Sequence, residues 1–93
     1  MAGPLDGIAV LEFTEIIAGP FGGMLLSDMG ADVIKVEPPW GEPWRFAQEF
    51  IPNESKAYIS LNRGKRSLPL DLTRPEGREI VYRLVPGMDV VVI

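Results

Sequence analysis

Cysteine and histidine are both absent from the 93 residues. Their absence excludes disulfides, thiolate or imidazole metal sites, cysteine nucleophiles and Ser-His-Asp triads within this chain. A metal would have to be held by carboxylates, and a general base would have to be Asp, Glu, Lys or Tyr. Positive charge is also scarce: 9 basic side chains stand against 13 acidic ones, a net charge of -4 with no long basic block. That balance argues against a nucleic-acid partner. No apolar run approaches the roughly 18–20 residues of a membrane span, and the N-terminus lacks the basic start and apolar core of a signal peptide. The expectation is a soluble cytoplasmic protein, with no membrane and no nucleic acid among its partners, acting on small molecules or proteins.

The chain is 46% hydrophobic and 24% charged, the composition of one small globular domain. A domain of this length buries only about 60–65% of its unfolded surface, so its stability margin is narrow unless something covers an exposed face. The chain also stops within its most apolar strand, with no helix following to cover it. On that ground it reads as a fragment or a truncated gene product; a remnant that does not fold alone is the duller version of the same reading.

Along the chain, Ile8 to Phe13 forms a nearly continuous apolar run after the turn-like Pro4-Leu5-Asp6-Gly7, which suits a strand covered on both faces. A loop from Thr14 to Gly19 leads to a predicted helix over Pro20–Met29, ended by Gly30, with Phe21, Met24, Leu25 and Met29 on one face. A second strand, Asp32 to Glu37, is halted by Pro38-Pro39. Strand, helix and strand with tight connections make a βαβ unit with parallel strands. From Pro38 to Lys56 periodicity disappears, and Trp40, Trp44, Phe46 and Phe50 read as anchors of a long structureless excursion, with a binding wall of Trp40, Trp44 and Phe50 as the alternative. Ala57–Leu61 reads as a short strand, Asn62–Ser67 as a basic turn and Leu68–Leu72 as an extended piece. Thr73 and Glu76 have the spacing of a capping box for a helix whose stripe is Ile80, Val81, Leu84 and Val85. Gly77 weakens that helix by about 1 kcal/mol against alanine. Pro86-Gly87 closes it, and Asp89–Ile93 is a buried type of strand.

Ligands of open parallel sheets bind beyond the carboxyl ends of the strands, so the loop after the first strand is the first candidate site. Gly19, Gly22 and Gly23 give backbone access at a helix N-terminus for an anionic group, or serve only the turn and close packing. Glu37, at the end of the second strand, stands where a dinucleotide fold binds ribose hydroxyls, which makes NAD binding an alternative. The long first loop and Pro20 count against NAD. Arg63, Lys65 and Arg66 form a compact positive spot suited to phosphate groups, or a solvated turn. Glu12 and Glu15, at odd spacing across a strand end, point to different faces.

In order, Pro4-Leu5-Asp6-Gly7-Ile8 with Val10-Leu11-Glu12-Phe13, Ala18-Gly19-Pro20, Gly30-Ala31-Asp32-Val33-Ile34-Lys35-Val36-Glu37-Pro38-Pro39, Lys65-Arg66-Ser67-Leu68 with Leu70-Asp71-Leu72, Pro75-Glu76-Gly77-Arg78 and Asp89-Val90-Val91-Val92 run through the chain. This series closely resembles the start of the class III coenzyme A transferases, the family of formyl-CoA transferase, carnitine CoA-transferase and α-methylacyl-CoA racemase. The resemblance implies an α/β fold with a Rossmann-like parallel sheet and flanking helices, of which residues 1–93 would be the N-terminal part of a CoA-binding domain cut within a strand. It implies a protein about four times this length, an interlocked homodimer, acting on acyl-CoA and a free carboxylic acid through an aspartyl intermediate. No cofactor is held permanently; the coenzyme A thioester is a substrate. The nucleophilic Asp lies downstream, so none of Asp6, Asp28, Asp32, Asp71 or Asp89 is that residue, no catalytic residue is present and the isolated chain would be inactive. A CoA-binding loop of Glu-Asn-Phe type would follow Ile93. Ile17, Ala18, Pro38, Leu70, Asp71, Leu72 and Thr73 would line the coenzyme, with Lys65 and Arg66 near its phosphates. Formyl-CoA transferases carry Gln where this chain has Ile17 and a basic residue where it has Pro38, which turns the expectation from formyl or oxalyl groups toward another carboxylic acid or a racemase-like chemistry. The alternative of another class is a non-catalytic NAD or CoA binding module.

Overall fold

A computed structural model of the chain describes residues 3–52 and 54–93, with no account of the Phe50 side chain. The expectation that Phe50 is an anchor therefore lies outside the described side chains. Four parallel strands form the main sheet: β1 (Ala9–Glu12), β2 (Asp32–Glu37), β5 (Arg66–Pro69) and β6 (Val90–Val92), in the order β5-β2-β1-β6. Between them run α1 (Ala18–Asp28), a small antiparallel hairpin of β3 (Glu49–Ile51) and β4 (Glu54–Ser55), α2 (Lys56–Asn62) and α3 (Pro75–Leu84).

Alternation along β1 divides the core into two layers. Val10 joins Ala31 and Val33 in a cluster that Leu26 of α1 covers. Leu11 joins Val36 and Leu70 in a second cluster that Val81 and Leu84 of α3 cover. Successive strand residues point to opposite faces, so a strand packed on both sides has to be apolar at consecutive positions. The α/β fold, the βαβ unit and the bounds of β2 agree with the reading of the sequence.

Several local expectations are corrected. Helix α1 buries Pro20, Gly23 and Met24, while Phe21, Leu25 and Met29 are exposed. Its small residues face inward because a Cβ at Gly23 would lie 1.9 Å from the Glu12 carboxylate. Residues 57–61 are helical, not extended: Ser55 ends β4 in an extended conformation, and its hydroxyl accepts the Tyr58 amide at 3.1 Å, an N-cap that starts α2. The segment after β2 is not structureless, and Trp40 and Phe46 do not anchor it, being 66% and 64% exposed. A 3-10 turn over Pro43–Phe46, capped by the Glu42 carboxylate, and the β3–β4 hairpin fill it. Strand β5 begins two residues earlier than expected and ends where the Leu70 amide donates to the Glu37 carbonyl at 2.8 Å. No capping box starts α3: Thr73 donates its amide and hydroxyl to Asp71, closing an Asx turn, and Arg74 is the residue at the cap. Within the helix stripe, Val81 and Leu84 pack inward, while Ile80 and Val85 are exposed. Strand β6 pairs with β1 as a sheet strand, yet Val90 and Val91 stay about 40% exposed.

Gly77 has a role that helix propensity does not show. It is buried, and a Cβ there would stand 2.1 Å from the backbone oxygen of Asp71. Alanine gains about 1 kcal/mol of helix propensity, but overpacking against a fixed backbone atom costs about 1–3 kcal/mol. Gly77→Ala is expected to lower the urea midpoint; a raised midpoint would show that the Asp71 turn yields at no cost.

Candidate functional site

The α1–α2 face of the sheet is apolar at its amino end and ionic at its carboxyl end. Val10 and Val33 stand side by side, and one pleat further on Glu12 stands beside Lys35. Both charged side chains are fully buried, with Lys35 Nζ 3.6 Å from Glu12 Oε2 and 2.9 Å from Glu42 Oε1. Lys65, from the turn after α2, brings its ammonium within 2.8 Å of Glu12 Oε1 and donates to the Pro20 carbonyl. Asn62 Oδ1 accepts from both lysines, at 2.9 and 2.8 Å, and Thr14 donates its hydroxyl to Glu12. Burial pushes the Lys65 ammonium below the ordinary lysine range, with the Glu12 hydrogen bond and charge pulling the other way. Two carboxylates and two ammonium groups thus form a neutral quartet, the condition under which charges persist away from water.

A second group ties the segment after β2 to the sheet. Glu37 accepts both Nε and Nη2 of Arg45, at 2.6 and 2.8 Å, together with the Tyr58 and Ser67 hydroxyls and the Glu42 amide. The Arg45 guanidinium lies 3.9 Å from the Tyr58 ring centroid, a stacked and bidentate arrangement that lysine could not reproduce. Burial alone would raise the Glu37 carboxyl, but the hydrogen bonds from Arg45 and Ser67, then the Glu42 amide, outweigh it and bring it to about 2. Burial also pushes the Tyr58 phenol well above the usual range, assisted by the charge on Glu37. With both oxygens taken up in this way, Glu37 is a holder of the loop; the ribose-binding role weighed for it is not supported.

Beyond the carboxyl ends of β1, β2 and β5 opens a cavity of about 210 Å³. It brings together Pro38 with Leu70, Asp71, Leu72 and Thr73, residues more than thirty positions apart that the parallel β2–β5 pairing makes neighbours. Phe13, Thr14, Glu15, Val36, Glu37, Trp40 and Glu42 complete its walls, and among the described residues no lysine or arginine lines it. Thr73 hydrogen bonds hold the Asp71 carboxyl below its usual range. Ile17 and Ala18 are exposed in the neighbouring loop and first helical turn but do not line this cavity. Lys65 is occupied by the buried quartet. Arg66 pairs with Asp32 at 2.6 Å, at the opposite, amino end of β2. Neither base faces the cavity. Gly19 and Gly23 serve close packing: a Cβ at Gly19 would meet the Thr14 side chain at 2.4 Å. A larger cavity of about 360 Å³ lies on the other side of Pro38 and Trp40, floored by the Glu37, Arg45 and Tyr58 cluster.

The residues around the site that sequence reasoning missed are Glu42, Arg45 and Tyr58. Their signal lay in Glu12, Lys35 and Glu37: charges inside apolar sheet strands require buried partners elsewhere in the chain.

The family model described as CoA-transferase family III matches residues 5–93. The chain belongs to this family. Within CoA-transferase family III it is 50% identical over 95 residues to the succinyl-CoA:mesaconate CoA-transferase of Haloarcula hispanica, covering 97% of this chain and 24% of that protein. It is 45% identical over 97 residues to the succinate–glutarate CoA-transferase of Agrobacterium fabrum, covering 96% and 24%. The crystal structure of a CAIB/BAIF family protein from Brucella suis superposes with a TM-score of 0.87 at 50% identity, over 98% of this chain and 25% of that one. The chain therefore spans about a quarter of the length of the relatives it matches. Among the described residues no helix is long and apolar enough to cross a membrane.

The acid limb of stability tests the Glu37 cluster. A carboxyl group held near 2 in the folded protein, against an ordinary 4.5, stabilises the fold fully above about pH 4.5 and loses that contribution as pH falls toward 2. Urea midpoints of the native chain are expected to fall across this interval, and the gap between native and Glu37→Gln to narrow with them. A gap that stays constant down to pH 2 would remove Glu37 as its source.

Proposed function

We propose that this chain supplies one wall of the coenzyme site of an acyl-CoA:carboxylate CoA-transferase. The supporting observation is the cavity at the carboxyl ends of β1, β2 and β5, in a chain whose family is CoA-transferase family III. At about 210 Å³ it is smaller than the roughly 300–1,000 Å³ of a whole-ligand pocket, so it takes one section of coenzyme A. Its walls combine apolar Phe13, Pro38, Leu70 and Leu72 with the Thr73 and Asp71 turn and with the carboxylates of Glu15, Glu37 and Glu42, the last two paired with Arg45 and Lys35, and carry no base. That chemistry suits an uncharged section, ring or pantetheine arm, and sends the phosphates toward the exposed Ile17–Ala18 backbone at the start of α1, where unpaired N–H groups favour anions. Lys65 and Arg66, with their charges taken by Glu12 and Asp32, have no part in this reading.

In this proposal residues 1–93 are the N-terminal part of a larger Rossmann-like domain within a homodimer. CoA moves from a thioester to a free acid through an aspartyl intermediate whose carboxylate lies outside these residues. The transferase names of the relatives favour transfer between acids over racemase chemistry.

Two measurements test this. The purified 93-residue chain, given succinyl-CoA and a free dicarboxylic acid, is expected to transfer no CoA; turnover would disprove the assignment of the nucleophile to a later segment. In the intact gene product, Leu72→Asp is expected to weaken CoA binding by calorimetry about tenfold or more, close to 1.4 kcal/mol. Leu72 is 38% exposed, so its melting temperature should hold. Unchanged affinity would place the coenzyme elsewhere.

A further inference from the structure

Glu42 is fully buried, although it lies outside the sheet in the segment after β2. Its carboxylate faces donors alone. Oε1 accepts Lys35 Nζ at 2.9 Å, while Oε2 accepts the Trp44 amide at 2.8 Å and the Ile16 amide at 3.3 Å. The Ile16 contact crosses from one loop to another, joining the segment after β2 to the loop after β1. Ile16 has a φ of +71°, a left-handed conformation that a β-branched residue adopts only where its surroundings enforce it. Ile17 and Ala18 follow directly and begin α1, so the angle at Ile16 sets the direction in which their backbone groups point.

We propose that Glu42 is a positioning residue for the coenzyme site, clamping Ile16 in the left-handed conformation so that the Ile17–Ala18 backbone is held in place before ligand arrives. The inference rests on the CoA reading of the site given above. It requires a carboxylate: glutamine would offer one oxygen and one amino group to three donors, leaving either Lys35 or the two amides facing an N–H group. The buried Lys35 ammonium claims the glutamine oxygen, because its hydrogen bond is charge-assisted, so the amino group is left facing the Trp44 and Ile16 amides and the loop contact is lost; the negative charge removed from the quartet lowers stability separately, which a melting temperature reads. Because ligand affinity rises when a binding loop is already ordered, loosening Ile16 weakens CoA binding; Glu42 itself borders the cavity but is fully buried with both oxygens taken by donors, so it offers CoA no free acceptor.

The test is a double-mutant cycle in the intact gene product, with CoA titrated by calorimetry into the native protein, Glu42→Gln, Ile16→Gly and the double variant. Glu42→Gln alone is expected to weaken binding about tenfold. In the Ile16→Gly background, where glycine adopts the positive φ without help, the same change is expected to cost less than about twofold. Equal affinity of Glu42→Gln and native protein overturns the proposal, and so does an undiminished loss in the glycine background. Amide exchange decides the case independently of both ligand and variants: the Ile16 amide of the native protein should be protected, and exchange at open-loop rates overturns the clamp. If the native protein binds no CoA while Ile16 is protected, the site reading fails and the clamp stands.

Discussion

The pairing of Glu12 with Lys35 is the constraint on which the carboxyl end of this fold depends. The two residues are neighbours in the β1–β2 register, fully buried, and neither can be removed without leaving the other charge in a poorly solvated interior, a loss of about 3–5 kcal/mol. Satisfying them recruits the rest of the local structure. Glu12 demands Lys65, which pins the turn between α2 and β5 beneath α1; Lys35 demands Glu42, which brings the segment after β2 over the strand ends. Asn62, the last residue of α2, accepts from both lysines and fixes that helix against the pair. Gly23 is glycine because the Glu12 carboxylate occupies the space a side chain would need.

Division of one sheet face into an apolar and an ionic half has a functional consequence. The apolar half, Val10 with Val33 under Leu26, holds a helix by burial alone, which is non-directional and tolerant of small shifts. The ionic half holds loops by hydrogen bonds whose distances and angles are narrow. Loops that meet a ligand gain from the second kind of attachment, since it fixes backbone direction as well as proximity. Glu37 and Glu42 are each satisfied by donors from separate segments, and together they leave the loop between Pro38 and Ala47 little freedom to reorganise.

The four strands of the main sheet, α1 and α3 were legible because each rests on local periodicity and on glycine or proline at its ends, whereas the β3–β4 hairpin was not. Helix α2 was not legible. Ala57, Ile59 and Leu61 alternate with polar residues as a strand would, and only the Ser55 cap, formed after β4 has turned the chain, selects the helix. The capping-box spacing of Thr73 and Glu76 misled for a related reason: Asp71, two residues earlier, competes for the Thr73 donors and wins. For the site, Pro38 and Leu70–Thr73 were named from family resemblance, and only the β2–β5 pairing brings them together. Lys65 shows where composition fails: three bases around a glycine look alike whether they face solvent, phosphate or a buried Glu12. The distinction depends on a carboxylate fifty-three positions away.

The remaining surface tells how the chain stands on its own. Its accessible area of 5888 Å² is about a tenth above the roughly 5,400 Å² expected for an independent folded protein of its mass. Exposed apolar side chains cluster in two elements: Phe21, Leu25 and the C-cap Met29 repeat at helical spacing along α1, and Val90, Val91 and Ile93 line the edge of the sheet beyond β1. These faces lie on the outer side of α1 and at the β6 edge, whereas the buried quartet lies at the inner side of α1 and between β1 and β2. Additional polypeptide, of which the relatives have three further quarters, can therefore pack on the apolar faces without disturbing the ionic contacts. The loop geometry at the strand ends is set from within the 93 residues, and the exposed apolar faces offer attachment of the non-directional kind that any well-fitted apolar surface can meet.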